Sequence, residues 1–390
     1  MNYIYKKLKS HKFFIGFIHK VECFPRVVWH AFDKMFIFIC TLQVGPEKDG
    51  GVAVVRIGGM GDMILSIPLL LEMKKKHYVT LICSSDHMYM KEIFYDCVNS
   101  FIFFDEYKFR KNILYRFSFL KRISSMKFSC TIHSGISRQQ GGADVIAWAA
   151  KSKKTIAFDA REWHSCEKLI SDRWFDTLID GKYGKIHELE RMSILAGTAL
   201  NYDEFLKNCD YKVVEKKYVY NNYAIFNVGS STSVREWEIS NFVEVARALH
   251  EKKSLLPIFI GTEKDKLKIS GMKIPFPHEN LIGKLTVKEY ILLLKNADII
   301  ICNESSPMHI GVMFDRPTVA IVSGGEFNNY CKYPDGVAEK LLVISSQDNS
   351  CFNCGWNCIY KKNDGHSFPC LDAVRSHDVI ENILSWEFFI

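Results

Sequence analysis

The chain has 390 residues, 48% of them hydrophobic, and a formal net charge of +7. This length favours two domains, and the apolar content is enough for two cores. No apolar run reaches the roughly 18–20 residues of a membrane-spanning helix, and the features of a cleaved signal peptide are missing. We therefore expect a cytosolic protein without a nucleic-acid partner, whose 13 cysteines are reduced thiols or metal ligands.

Residues 1–47 form a segment in which basic and aromatic residues are interleaved. Within residues 1–34, seven Lys or Arg stand against Glu22 and Asp33, with eight aromatic side chains among them. This mixture suits an anionic membrane surface, which predicts peripheral attachment to the inner face of the cytoplasmic membrane. The alternative is an amphipathic helix packed on the folded body, and the sequence leaves both open.

Strand-like and helix-like segments alternate along the next part of the chain. The predicted strands cover residues 52–57, 79–83, 101–104, 128–132 and 155–158. The alternation pauses over the mixed, polar residues 160–220. This pattern is typical of a parallel sheet with helices on both faces.

The alternation restarts in the second half. The predicted strands are 223–228, 255–260, 298–302 and 318–322, and the predicted helices are 239–251, 286–296 and 306–313. We therefore predict an α/β protein with two Rossmann-like domains that face a central cleft, over residues 48–215 and 216–390.

The first strand ends in a Gly-rich turn that leads into Asp62 at the start of a predicted helix. Its Gly-Gly-Met-Gly spacing is neither the dinucleotide fingerprint nor a Walker loop. Such a turn forms a ligand crevice in an open α/β sheet, with a carboxylate at its mouth. Asp also caps helices well, and a capping Asp is able to contact a substrate.

Three turns of the second half carry groups that suit a phosphorylated sugar. Gly229-Ser-Ser-Thr-Ser233 with Arg235 offers N–H, O–H and a positive charge to phosphate, although it also fits a solvated loop. In Asn303-Glu-Ser-Ser-Pro-Met-His309, Ser306 is predicted to cap a helix whose N-terminus favours an anion. His309 lies one turn inside, where a structural role is the more common one. Glu263 offers a carboxylate to a sugar hydroxyl, or a favourable charge to a helix start.

In their order, these segments resemble glycosyltransferase family 9, the heptosyltransferase-type family, over roughly residues 50 to 330. The matching segments are 56–62 with Ile67-Pro68, 229–232 with 235–237, 261–263, 303–309 and 315–317. Residues 187–191, followed by Gly197, resemble the inter-domain helix of the family. The resemblance implies a GT-B fold, with the acceptor at the N-terminal domain and the nucleotide sugar at the C-terminal domain.

The resemblance also implies transfer without a metal and with inversion at the anomeric carbon, and the sequence agrees in having no Asp-x-Asp triplet. Asp62 takes the position of the general base. Residues implied on the acceptor side are Arg56, Gly59 and Gly61. Residues implied on the donor side are Ser230, Ser231, Thr232, Arg235, Glu263, Glu304, Ser305, Ser306 and His309. Glu304-Ser-Ser stands where heptosyltransferases typically have Asp-Thr-Gly, and Arg235 where Lys is common, which alters reach and geometry.

The implied function is transfer of heptose or a related sugar. The donor is a nucleotide-diphosphate sugar similar to ADP-heptose, and the acceptor is a lipid-linked saccharide such as lipopolysaccharide. One rival is a non-catalytic protein of the same fold that binds sugar nucleotides or glycolipids, and another is a GT-B sugar-nucleotide epimerase. Asp62 separates the first rival from an enzyme, because binding alone does not require a carboxylate at that turn.

A Cys-rich loop lies at 351–370. Its cysteines are Cys351, Cys354, Cys358 and Cys370, in a C-x₂-C-x₃-C-x₁₁-C array. Four thiolates at this spacing predict a structural zinc ion, and a reduced or disulfide-linked loop is the alternative. No cofactor is expected for catalysis.

Overall fold

The computed structural model describes residues 31–37, 51–138, 140–159, 168, 170–200, 220–346, 351–360 and 367–389. The chain divides into two compact units that interleave along the sequence. Unit 1 comprises Met1–Ile57, Met73–Met88 and Val98–Gly181, and unit 2 comprises Gly58–Glu72, Tyr89–Cys97 and Lys182–Ile390. The predicted domain boundary at 215/216 lies outside the described residues.

Each unit contains a six-stranded parallel sheet. Unit 1 has the strands β1 (Val52–Val55), β2 (Val79–Ser84), β3 (Ser100–Phe104), β4 (Cys130–His133), β5 (Lys154–Phe158) and β6 (Thr177–Ile179), in the order β3-β2-β1-β4-β5-β6. Unit 2 has β7 (Tyr223–Asn227), β8 (Leu256–Ile260), β9 (Glu279–Asn280), β10 (Ile299–Asn303), β11 (Thr318–Ile321) and β12 (Leu341–Ile344), in the order β12-β11-β10-β7-β8-β9. Both orders are the Rossmann order, in which a ligand crevice opens where the strand order reverses.

Helices follow most of the strands. They are α1 (Met60–Lys74), α2 (Tyr89–Ile93), α3 (Glu106–Lys111), α4 (Ile113–Ser124), α5 (Val145–Ala149), α6 (Glu188–Ala196), α7 (Ile239–Lys253), α8 (Lys266–Ile269), α9 (Val287–Lys295), α10 (Ser306–Met313), α11 (Pro369–Asp372) and α12 (Ser376–Ser385). Most of α1 clusters with unit 2 although it directly follows β1 of unit 1. Consequently the Gly-rich turn and Asp62 belong to the same unit as the second sheet.

The central strands β1, β7 and β10 are buried along their whole length. In unit 2, β7 pairs with β10 and with β8 in parallel register, with Ala224 opposite Ile299 and Pro257. Helices cover both faces of a parallel sheet, so its strands are continuous apolar runs rather than alternating ones. This explains why the sequence located these strands within one or two residues.

The structure corrects several boundaries. α1 begins at Met60 rather than at Asp62. Ser305, in extended conformation, is the N-cap of α10, and Ser306 is the first helical residue, so the predicted cap at Ser306 is wrong by one residue. The sequence analysis missed β6, β9 and β12. β6 and β9 are only three and two residues long, which is too short for a periodic pattern.

Residues 31–37 are helical and pack into unit 1. Ile37 is buried in the core of that unit. The Asp33 carboxylate accepts hydrogen bonds from Nε and Nη2 of Arg116, both at 2.7 Å, and both side chains are about 3% exposed. For these residues the structure agrees with the packed-helix alternative, whereas the rest of the 1–47 segment lies outside the described residues. Among the described helices, none is both long and apolar enough to span a membrane.

Candidate functional site

The turn before α1 holds Asp62 by a hydrogen bond to the backbone. Asp62 Oδ2 accepts from the N–H of Gly59 at 2.9 Å, which is how the third residue of a helix ties back to its N-cap. A Cβ at Gly58 would lie 2.7 Å from the same oxygen, so glycine is needed there. Asp62 therefore caps the helix from its third residue rather than as the N-cap, and this hydrogen bond fixes the position of the carboxylate.

His309 on α10 lies beside this turn. A Cβ built on Gly61 would be 2.6 Å from Cδ2 and 3.2 Å from Nε2 of His309. Burial lowers the pKa of His309 to about 4, partly offset by the attraction of Asp62. The structure therefore brings together the predicted base and the predicted donor-loop histidine, which the sequence had assigned to different domains.

Two tyrosines and a second histidine fix the ring of His309. Its Nδ1 is 2.6 Å from the Tyr333 hydroxyl, and the Tyr333 ring packs on His187 with a centroid separation of 4.2 Å. His187 caps α6, and its Nε2 is 3.0 Å from the carbonyl of Tyr330. Burial lowers the pKa of His187 to about 3 and raises that of Tyr333. His309 is therefore neutral at pH 7, and when the Tyr333 hydroxyl donates to Nδ1, an N–H is left at Nε2.

The donor turn after β7 is tied to the end of β10 by Asn303. Its Oδ1 accepts from the N–H of Trp237 at 2.8 Å, and its Nδ2 donates to the carbonyl of Val228 at 3.1 Å. Within this turn, Arg235 donates from Nε to Thr232 Oγ1 at 3.1 Å and from Nη2 to Ser231 Oγ. The predicted group of hydroxyls around one guanidinium therefore exists as a connected cluster.

Asp265 packs against Gly229 of the donor turn. The sequence analysis missed this residue. Its Oδ2 accepts from the N–H and hydroxyl of Thr262 at 2.7 and 2.8 Å, and a Cβ on Gly229 would overlap that oxygen. Lys268 links Asp265 to Glu236. Its Nζ forms ion pairs with the carboxylates of both residues, and lies 2.8 Å from Glu236 Oε1. The Thr-x-x-Asp spacing of a capping box was the signal that could have found it.

Glu263, predicted to contact the sugar, lies two residues before Asp265 in the turn that follows β8. Its side chain is 73% exposed and pairs with Lys266 at 2.7 Å. The structure does not include it in the cluster around Arg235.

Glu304 is a buried acid in the donor loop. Its Oε2 accepts from the Ser323 hydroxyl at 2.9 Å, and Oε1 has no partner among the described residues. Burial raises its pKa to about 7, although the charge of Arg235 acts in the opposite direction. The Ser230 hydroxyl is likewise buried without a partner in the described part of the chain. Within the described ranges, two buried polar atoms in this region therefore lack a hydrogen-bond partner.

The other loop serines have identifiable contacts. Ser305 Oγ donates to the carbonyl of Asn303 at 3.2 Å, and Ser306 hydrogen-bonds to the Tyr290 side chain. On the acceptor side, Arg56 is buried in unit 1 and donates from Nη1 to the carbonyl of Ser134 at 2.6 Å. Gly59 and Gly61 belong to unit 2.

The cysteines of the Cys-rich loop are free thiols. Burial raises the pKa of the Cys354 and Cys370 thiols. Both thiols also interact electrostatically with Cys351 and Cys358. Cys370 Sγ accepts from the N–H of Gly324 at 3.4 Å. Over the described ranges, no three His, Cys, Asp or Glu side chains are arranged to hold a metal ion. The zinc ion stays a prediction from spacing.

Comparisons with known proteins agree with these observations. Residues 180–350 match the family model described as glycosyltransferase family 9 (heptosyltransferase). The chain is 26% identical over 166 residues to lipooligosaccharide heptosyltransferase 2 of Campylobacter jejuni subsp. jejuni serotype O:6. That match covers 40% of this chain and 49% of the relative, so the chain spans about half the length of that curated protein.

Solved structures show the same fold. The glycosyltransferase of family 9 from Veillonella parvula has a TM-score of 0.62 at 15% identity, covering 86% of this chain and 97% of its own. The E. coli heptosyltransferase WaaC with ADP-2-deoxy-2-fluoro heptose has a TM-score of 0.59 at 13% identity, covering 85% and 98%. The GT-B fold predicted from the sequence is therefore confirmed. The family match covers residues 180–350, under half of the chain, and agrees with the resemblance to glycosyltransferase family 9 read from the sequence.

Proposed function

We propose that the protein is an inverting, metal-independent glycosyltransferase that moves heptose or a related sugar from a nucleotide-diphosphate donor to lipopolysaccharide or another cell-surface saccharide. The observation that carries the proposal is the position of Asp62, held at a glycine turn beside His309 of the predicted diphosphate-binding loop. A carboxylate in this position is able to act as a base next to a bound donor.

The reaction is a single displacement. The acceptor hydroxyl attacks the anomeric carbon, its proton passes to the Asp62 carboxylate, and the nucleoside diphosphate leaves from the opposite face. The hydrogen bond from Gly59 holds Oδ2 of Asp62. Because this carboxylate is fixed before the substrate arrives, little reorganisation is needed when the proton moves.

The leaving diphosphate gains negative charge as the glycosidic bond breaks. Arg235 supplies a positive charge, and the N-terminus of α10 at Ser306 supplies oriented N–H groups. His309, neutral because it is buried, is able to donate a hydrogen bond from Nε2. We propose that these groups replace the divalent ion that many glycosyltransferases use.

The donor and acceptor classes rest on the family. The E. coli relative was solved with ADP-2-deoxy-2-fluoro heptose, which supports an ADP-heptose-like donor. The name of the Campylobacter relative refers to lipooligosaccharide, which supports a lipid-linked saccharide as the acceptor. We propose that the protein works in the cytoplasm at an anionic membrane surface, because residues 1–30 contain six Lys or Arg and one Glu.

The test is a transfer assay with ADP-heptose and heptose-deficient lipopolysaccharide, in which ADP release and the acceptor mass are measured. Asp62→Asn should lower kcat by about 10²–10⁴-fold, while ADP affinity in calorimetry stays within about twofold, because the amide oxygen is still able to accept from Gly59. Asp105→Asn is the matched control. Asp105 also caps a helix, accepting from Lys108 N at 2.8 Å, but it lies in unit 1.

The outcomes separate the enzyme from the rival binding protein. Transfer by Asp62→Asn within a few-fold of the wild type would reduce Asp62 to a helix cap. A wild-type protein that binds ADP-heptose but neither releases ADP nor modifies the acceptor would favour the non-catalytic alternative.

A further inference from the structure

The Cys-rich loop contacts the donor turn through Trp356. The guanidinium carbon of Arg235 lies over the indole ring, 4.5 Å from its centroid. A guanidinium over the face of Trp is attracted by the negative charge of the ring face, and Trp is the best aromatic partner for it. This contact joins the 351–358 segment to the residue that supplies positive charge to the predicted diphosphate site.

The position of Trp356 is fixed by backbone contacts of its loop. Asn353 N donates to the carbonyl of Gly324 at 2.6 Å, and Gly355 N donates to that of Gly325 at 2.8 Å. A Cβ on Gly325 would overlap the indole ring, so the ring lies directly on the glycine backbone. Trp356 adopts φ 58°, in the left-handed region that side chains rarely occupy. Such a conformation persists when the surrounding contacts determine it.

Trp356 contacts Arg235 through the face of its indole ring rather than through its Nε1–H group. Trp356 Nε1 is buried and has no hydrogen-bond partner among the described residues. The same guanidinium donates hydrogen bonds to two hydroxyls, Thr232 Oγ1 and Ser231 Oγ. Arginine has many rotamers, and a side chain that is already held in one of them loses less entropy on binding a ligand.

We propose that Trp356 is a positioning residue that holds the guanidinium of Arg235 in place for the diphosphate of the donor. This inference rests on the proposed function, because it takes a nucleoside diphosphate as the ligand of Arg235. The Cys-rich loop would then contribute to donor binding through the Trp356 side chain rather than through its cysteines.

A double-mutant cycle with ADP as the probe tests the inference. ADP affinity is measured by calorimetry for the wild type, Trp356→Leu, Arg235→Gln and the double variant. Trp356→Leu should weaken ADP binding by about 2–5-fold, and Arg235→Gln should weaken it more. In the Arg235→Gln background, Trp356→Leu should have no further effect, because a positioning residue acts only through the residue that it positions.

Two further variants control for damage to the loop. Phe352 packs on Gly324 and on the Phe327 ring, at a centroid distance of 5.3 Å, so Phe352→Leu disturbs the loop but keeps the indole. It should leave ADP affinity within about twofold. Trp356→Phe keeps an aromatic face and should fall between the wild type and Trp356→Leu, and it replaces Trp356→Leu in the cycle if the latter does not fold.

The outcomes distinguish the inference from the proposed function. Equal effects of the Trp356 substitution in both Arg235 backgrounds would overturn the inference alone, as would Phe352→Leu weakening ADP binding as much as Trp356→Leu. A wild-type protein that binds no ADP would overturn both the inference and the proposed function.

Discussion

Glu304 should make unit 2 less stable as the pH rises towards neutrality. Burial raises its pKa from an ordinary value of 4.5 to about 7. Between these values the folded protein binds a proton that the unfolded chain has released, so the free energy of unfolding falls as the pH rises. At about 1.4 kcal/mol for each pH unit, the loss between pH 4.5 and 7 is about 3 kcal/mol.

Glu304→Gln removes the ionisation and keeps an oxygen that is able to accept from Ser323. We therefore expect the free energy of unfolding of the variant not to show this decrease. Between pH 5 and pH 8 the wild type should lose about 3 kcal/mol relative to the variant. Urea unfolding at both pH values measures the difference. Glu263→Gln, the same substitution at a side chain that is 73% exposed, should keep the wild-type pH dependence.

Ionisation of Glu304 should also weaken donor binding, because it places a negative charge beside Arg235, close to where the diphosphate is expected. Wild-type affinity for ADP-heptose should fall as the pH rises through about 7, whereas the affinity of Glu304→Gln should stay level. Parallel stability curves for the wild type and Glu304→Gln between pH 5 and 8 would refute the assignment of a raised pKa to this side chain.

Other predictions concern the donor site, the metal, the packed helix and the membrane. Arg235→Ala and His309→Ala should each weaken ADP binding in calorimetry, and unchanged affinity in both variants would contradict their assignment to the donor. Transfer should persist in excess EDTA, whereas a loss that Mg²⁺ restores would argue against the metal-independent mechanism. Asp33→Asn leaves Arg116 buried without its carboxylate and should cost about 3–5 kcal/mol of unfolding free energy. Asp315→Asn, which breaks an exposed pair with Lys340, should cost about 1 kcal/mol or less. Full-length protein should sediment with anionic vesicles at low salt and be released at high salt, and replacing Lys6, Lys7, Lys9 and Lys12 with Gln should weaken sedimentation; equal sedimentation would exclude a role for these lysines.

Local sequence determined the elements and the family resemblance. The buried strands β1, β7 and β10 are continuous apolar runs, and the turns that follow them contain the Gly, Ser and Asn residues that carry the family resemblance. These features were predicted from the sequence because hydrophobic periodicity and turn chemistry are properties of neighbouring residues. The short strands β6 and β9 were not predicted, because two or three residues establish no periodicity.

Only the tertiary structure decided which distant residues meet. Asp62 lies beside His309 because most of α1 clusters with the second sheet, although it follows a strand of the first. Asp265 supports the turn at Gly229 because β7 and β8 are neighbours whose ends lie at the same edge of the sheet. Trp356 reaches Arg235 because hydrogen bonds to Gly324 and Gly325 fasten its loop there. Each contact depends on strand order and backbone pairing, and a single sequence carries no local signal of either.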